Sequence, residues 1–151
     1  MNEDALTQYI TSTFAGVQVR SADGATLFAY DPGGAPQAGV YFATIKTQDD
    51  PNDDVSDLAR PSVYRLNVGL GEPAYRALFG PLPPRPGDDG LIETHHDFRQ
   101  LDRLLPHPVY AYLGWICVLS PGAATFDALK PLLADAYACA QVRYAAGPVE
   151  G

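Results

Sequence analysis

The fold is decided by the stretch Leu-Pro-His-Pro-Val-Tyr, residues 105–110, and by the two segments that follow it. Gly114-Trp-Ile-Cys-Val-Leu119 is an apolar run between a glycine and the turn Ser-Pro-Gly at 120–122, which predicts a buried strand over 115–119. Apolar residues then recur at three- and four-residue spacing and predict a helix from Thr125 to Tyr144. Because each proline restricts the residue before it, His107 is expected to have a fixed, extended backbone just ahead of the strand.

The remainder of the chain predicts further strands and short helices. Asn2 can cap a helix over 2–14, and the Asp23-Gly24 pair is typical of a hairpin turn. Alternating or β-branched residues predict the strands 17–20, 26–30, 40–46 and 62–68. Short helices are expected at 71–79 and at 98–105, the second capped by Asp97. Pro131 is expected to kink the last helix or to mark a late start.

This order of elements predicts an α+β fold. Helices that are segregated from antiparallel strands favour a meander sheet packed by the N- and C-terminal helices. At 151 residues we expect a single domain over 1–151, with a proline-rich irregular loop at 80–90 and a flexible tail at 145–151.

Composition excludes several classes of function. The 10 basic and 18 acidic residues give a net charge of −8, which opposes attraction to nucleic acid or to anionic membranes. Neither a secretory signal nor an apolar run of about 18 residues is found, so a cytoplasmic location away from membranes is expected. Cys117 and Cys139 lie in apolar surroundings and are expected to be reduced.

The quoted segments resemble a family of short bacterial proteins of unknown function. The similarity runs from Phe42 to Tyr144 and is carried by two blocks, Tyr64 to Gly80 and Asp102 to Tyr144. The second block holds Pro106 to Tyr110, the strand with Trp115 and the closing helix. The order of elements is also similar to the MmcQ/YjbR-like group, whose fold is of the frataxin (CyaY-like) α+β type. That resemblance implies a possible DNA-binding role and implies no catalytic residues.

His107 is the first candidate for chemistry. Asp102 lies five residues earlier, and a carboxylate that orients an imidazole would make His107 a general base. The alternative is a histidine whose hydrogen bonds hold a turn at the start of a strand. No Gly-x-Ser-x-Gly nucleophile motif accompanies the pair.

A polar set on the central strands is the second candidate. Strand alternation places Arg65 and Asn67 on one face, where with Lys46 they can line a concave surface that recognises anions. Tyr110 or Trp115 would lie beside them as an aromatic wall. The alternative is an ordinary solvent-facing side of a half-covered sheet.

No metal site or cofactor is predicted. Asp50-x-Asn52-x-Asp54 matches the opening of a calcium loop, but Val55 and Pro61 stand where that loop has glycine and glutamate. This acidic stretch is interpreted as a solvated turn. The adjacent His95 and His96 lack the companions of a zinc motif.

These observations favour a non-enzymatic module that binds a small molecule or a protein, with a homodimer as a possible assembly. A small enzyme that uses His107 and Asp102 is the alternative hypothesis. A DNA-binding protein is the third, and the net charge of −8 disfavours it.

Overall fold

A computed structural model describes residues 2–34, 39–87, 90–92 and 94–147. Its helices are α1 (Glu3–Thr13), α2 (Glu72–Phe79) and α3 (Ala123–Ala145), with a single 3₁₀ turn at Ala111–Leu113. Its strands are β1 (Val17–Ala22), β2 (Ala25–Tyr30), β3 (Val40–Lys46), β4 (Arg65–Gly69), β5 (Leu105–Pro106) and β6 (Trp115–Leu119). The six strands form one antiparallel sheet in the order β1-β2-β3-β4-β6-β5, so the predicted α+β class is confirmed.

Helix α1 begins where the sequence predicts it. The Asn2 side chain accepts a hydrogen bond from the backbone N–H of Ala5 at 2.9 Å, which satisfies one of the free donors at the helix start. Glu3 and Asp4 lie in the first turn, where negative charge is favourable. Leu6 and Ile10 are buried one turn apart and fix the helix against the core.

The first hairpin depends on backbone conformations that few residues adopt. Asp23 and Gly24 have φ angles of 49° and 77°, the left-handed pair that a two-residue hairpin turn requires. The pairing of Ala22 with Ala25 closes the hairpin. The resulting twist matches that of the flanking strands, so β1 and β2 pair in full register.

Helix α3 packs mainly across β3 and extends over β2 and β4. Its buried residues follow the predicted stripe: Phe126, Leu129, Leu133, Ala136 and Ala140. Pro131 lies inside the helix, and the expectation that it marks a late start is wrong. Proline removes a single backbone donor, and the buried stripe on either side of it holds the helix on the sheet.

The expected helix at 98–105 is also wrong. Gln100 donates to the carbonyl of Asp97 at 3.2 Å, which forms a turn, and Asp102 then takes a left-handed φ of 57°. The chain goes on into β5, where Leu105 pairs with Cys117 of β6. Hydrogen bonds to the distant strand β6 therefore satisfy backbone groups of this segment that a local helix would otherwise have satisfied.

Two expectations concern segments that are described only in part. In the loop 80–90, Asp88 and Asp89 lie outside the described residues, and so do residues 148–151 of the predicted tail. Among the helices that the structure describes, none combines the length and apolar character needed to cross a bilayer.

Candidate functional site

Arg65 and Asn67 form the floor of a cavity on the sheet. They lie two residues apart on β4, so their side chains emerge on the same face, as alternation predicts. Arg65 Nε donates to Asn67 Oδ1 at 3.0 Å, and Asn67 Nδ2 donates to Thr44 Oγ1 at 2.9 Å on β3. The floor is thus a connected polar network that spans two strands.

Arg65 is held by a buried carboxylate. Its side chain is 1% exposed, and its two terminal nitrogens bind both oxygens of Asp53 in a bidentate pair. Nη1 also donates to Ser56 Oγ at 3.0 Å. Burying an arginine is tolerated when its charge is paired and its donors are satisfied, and this arrangement meets both conditions. The interpretation of the acidic stretch as a solvated turn is therefore wrong for Asp53.

Lys46 lies next to Arg65 across the β3–β4 register and is paired with Asp50. The hydrogen bond from Lys46 holds the pKa of Asp50 below its ordinary value. Asp50 and Asp53 exchange backbone hydrogen bonds at 3.3 and 3.1 Å, closing a tight turn over Pro51 and Asn52. One turn therefore presents a carboxylate to each of the two cations.

His107 holds a turn through one ring nitrogen. Its Nδ1 accepts hydrogen bonds from the backbone N–H groups of Val109 at 3.1 Å and Tyr110 at 3.0 Å. A nitrogen that accepts two N–H donors carries no proton, so the neutral ring carries its proton on Nε2. Burial, and then the charges of Arg65 and Lys46, hold the pKa of His107 well below 6.5. The imidazole is therefore neutral at physiological pH.

The second ring nitrogen of His107 faces the cavity. Nε2 has no hydrogen-bond partner among the described residues, although the side chain as a whole is buried. The fully enclosed, unpartnered side-chain atoms of the described ranges are Asp31 Oδ1 and Tyr64 Oη. Nε2 is not among them, so this atom is accessible, and His107 lines the cavity. Nε2–H is thus a fixed donor that is directed at open space.

Asp102 lies elsewhere and does not orient His107. Its carboxylate accepts from the backbone N–H of Gly122 at 2.7 Å. This bond, followed by one from the Thr125 side chain, lowers the pKa of Asp102. The Asp102 carboxylate is thus bound at the start of α3, and no hydrogen bond or ion pair between the described residues joins it to His107.

The cavity has a volume of about 630 Å³, within the usual size range of small-ligand sites. His107 and all five residues of the predicted ligand-binding set line it: Lys46, Arg65, Asn67, Tyr110 and Trp115. Val109 and Leu113 extend the apolar wall, and Asp50 to Asp53 form the opposite side. The sequence did not identify Asp53 and Ser56 as partners of Arg65, because only the folded loop brings them to it. Nor did it identify Thr44 as the partner of Asn67 across the β3–β4 register.

Trp115 owes its position in the wall to a glycine. Gly69 of β4 pairs with Trp115 of β6, and a Cβ at Gly69 would lie 2.7 Å from the indole ring. A side chain there would displace the ring, because real Cβ atoms do not approach other atoms so closely. The half-buried indole can therefore lie flat on the sheet beside the polar floor.

The described residues show no cluster of three or more His, Cys, Asp or Glu side chains able to hold a metal ion. The floor of the cavity carries hydrogen-bond donors, and aromatic side chains form the wall beside it. Two of these donors are His107 Nε2–H and the second N–H of the Asn67 amide. The Thr44 hydroxyl accepts from Asn67, which leaves its own proton free to donate.

Comparison with known proteins identifies the family of the chain. The model of a family of unknown function, DUF6194, matches residues 1–147. The chain belongs to this family. Searches among curated proteins and among solved structures gave no significant match. The description of this family names no activity.

Proposed function

We propose that this DUF6194 protein is a non-enzymatic module that binds a small polar organic molecule in the cavity above Arg65 and Asn67. The observation that carries the proposal is the state of His107, which lines that cavity, is only 4% exposed and carries an Nε2–H that has no acceptor among the described residues. A ligand acceptor can take the place of solvent at this donor, which the fold holds in a fixed position. Tyr110 and Trp115 supply apolar contact area next to it.

The alternative of a small enzyme receives less support. A general base needs a free lone pair, but Nδ1 of His107 accepts two backbone donors and Nε2 carries the proton. Asp102 is bound to Gly122 and does not act on the imidazole. Burial raises the pKa of the Cys117 thiol to about 12, so Cys117 is no nucleophile at neutral pH.

A thermal-shift screen with a matched pair of variants tests the proposal. In His107→Asn, the side-chain oxygen can still accept the two backbone N–H groups while the donor at Nε2 is lost. A metabolite present at 100 times its Kd should stabilise the wild type by about 2.7 kcal/mol, or roughly 5 to 10 °C in Tm. We expect this shift to vanish in a folded His107→Asn protein and to persist in His95→Asn.

Two results would oppose this function. A ligand that shifts wild type and His107→Asn equally binds somewhere other than at Nε2. If no compound in a broad set of sugars, nucleosides, amino acids and other metabolites shifts the wild type, the cavity is not a small-molecule site, and a protein partner becomes the better hypothesis.

Several finer attributes belong to the same proposal. We propose a single domain over 1–151, a bacterial origin, a cytoplasmic location and a fold relationship to the MmcQ/YjbR-like group, all supported by the sequence resemblance and by the α+β order of elements. A homodimer is compatible with this function. DNA binding is the least supported alternative, since the net charge is −8.

A further inference from the structure

We infer that the ligand of this cavity is an uncharged planar ring compound that carries a carbonyl or amide group, and not an organic acid. The inference rests on the proposed binding function and names its chemical class. Four features carry it: the pairing of both cations, the charge balance of the lining, the donors at the floor and the aromatic wall.

Both cations of the cavity are already neutralised. Arg65 is paired through two contacts with Asp53, and the side chains of the two residues are 1% and 9% exposed. Lys46, which is 13% exposed, is paired with Asp50. An incoming carboxylate would therefore meet cations whose charge is already balanced by these aspartates. The sequence predicts that Arg65 and Lys46 recognise an anion, but these aspartates already occupy that role.

The complete lining carries slightly more negative than positive charge. Its charged members are Lys46 and Arg65 against Asp23, Asp50 and Asp53. The pKa of His107 lies well below 6.5, so the imidazole adds no positive charge at neutral pH. A carboxylate moved into this partly buried space would lose hydration without gaining an unpaired cation, which is unfavourable.

The groups that remain free at the floor are neutral donors. Nε2–H of His107, the second amide N–H of Asn67 and the hydroxyl of Thr44 have no acceptor assigned within the described ranges. A carbonyl oxygen has two lone pairs and satisfies such donors without bringing a charge. The floor is therefore chemically matched to a carbonyl or an amide.

The wall is matched to a flat ring. Trp115 lies against Gly69, while Tyr110 and Leu113 are 49% and 55% exposed at the edge of the cavity. Aromatic side chains favour stacked or edge-to-face contacts with another ring. A volume of about 630 Å³ leaves room for one or two fused rings with a substituent.

Isosteric pairs of probes test the inference directly. Benzamide and benzoate, nicotinamide and nicotinate, and indole-3-carboxamide and indole-3-carboxylate differ in charge and hardly in shape. We would titrate each into the full-length protein at neutral pH and follow the amide resonances of residues 107–115 by NMR. Each amide is expected to bind at least about tenfold more tightly than its acid.

The Asp50→Asn variant should reduce or reverse the preference for the amide over the acid. This change leaves Lys46 without its carboxylate, so the preference for the amide should narrow by about tenfold or invert. Asp54→Asn removes the same charge from the same loop, but Asp54 does not line the cavity. It should therefore keep the preference of the wild type.

The outcomes separate this inference from the proposed function. Tighter binding of the acids to the wild type, or equal effects of the Asp50 and Asp54 variants, would overturn the inference. If no probe binds but the thermal screen finds another ligand that depends on His107, the ligand class is wrong and the binding function remains. If neither experiment detects binding, both are wrong.

Discussion

His107 has two roles that are divided between its two ring nitrogens. Nδ1 accepts from the backbone of Val109 and Tyr110 and so fixes the turn that leads into the 3₁₀ turn at Ala111–Leu113. Nε2–H faces the cavity. A proton on Nδ1 would face the two backbone N–H groups that now donate to this atom, and donors repel one another. This repulsion agrees with the lowered pKa of His107. The residue therefore stabilises the fold only while it is neutral.

A pH dependence of stability follows from this. The pKa of His107 is lowered in the folded state, so the unfolded chain takes up the proton first as the pH falls. The stabilisation is complete above about 6.5 and is lost below it, with a limiting slope of about 1.4 kcal/mol per pH unit. Urea unfolding between pH 7.5 and 5 should show this loss, and His107→Asn should flatten it.

Other titrating groups can be separated from His107. Asp50 and Asp102 have pKa values below 3.8, so their contributions fall at lower pH. The pKa of His96 is also lowered, mainly by burial, so His96 adds to the pH dependence of stability in the same range. The contribution of His107 is therefore measured as the difference in slope between the wild type and His107→Asn. His95→Asn should keep most of the slope of the wild type, because it acts only through the neighbouring His96, whose pKa the charge of His95 helps to lower. Parallel curves for wild type and His107→Asn would contradict this account.

At the scale of elements, the turn at 50–53 and strand β4 depend on each other. The turn presents Asp53 to Arg65 from above the sheet, and β4 supplies the guanidinium from below. Asp50 and Lys46 repeat this arrangement closer to solvent, where the carboxylate is 48% exposed. The same pair of charges should thus contribute very differently in the two places.

We expect Asp53→Asn to destabilise the protein by about 3–5 kcal/mol, because it leaves the buried guanidinium of Arg65 unpaired. Asp50→Asn should cost less than about 1 kcal/mol, since its carboxylate is half-exposed and the ion pair is weakened by solvent. Chemical denaturation with both variants measures the difference.

A double replacement keeps this test decisive if Asp53→Asn does not fold. Arg65→Met with Asp53→Leu removes both charges together and should recover most of the lost stability, as replacement of buried ion pairs by apolar residues does elsewhere. Equal losses for the Asp50 and Asp53 variants would show that burial does not set the strength of these pairs.

At the scale of the whole molecule, charge separates this protein from nucleic-acid binders. The net charge is −8, and the two cations of the cavity, Lys46 and Arg65, are paired with aspartates. Association with a phosphate backbone requires unpaired basic groups that release counterions. We therefore expect no DNA-binding surface in this protein, although the order of its elements resembles the MmcQ/YjbR-like group.

We expect a gel-shift titration with duplex DNA to show no complex even at low salt, where electrostatic attraction is strongest. An established basic DNA-binding domain serves as the positive control. Binding that weakens steeply with added salt would contradict the expectation and would revive the DNA-binding hypothesis.

The sequence alone was sufficient wherever the deciding interactions are local. Strand alternation placed Arg65 and Asn67 on one face, and the Asp23-Gly24 pair indicated the first hairpin. The spacing of apolar residues identified α3, and Asn2 marked the start of α1. Periodicity, turn chemistry and capping are read over a few residues, so these features of the α+β fold are contained in short windows of sequence.

Only the tertiary structure decided the partners of the polar groups. Asp102 turned toward Gly122, and Asp53 was buried against Arg65. The expected helix at 98–105 was replaced by a turn and by the pairing of Leu105 with β6. Each outcome depends on atoms that are far apart in the chain, and burial then fixes which donors and charges must be satisfied. The sequence thus determined the fold class and the face that carries the cavity. Long-range packing determined which groups in that cavity remain free to bind a ligand.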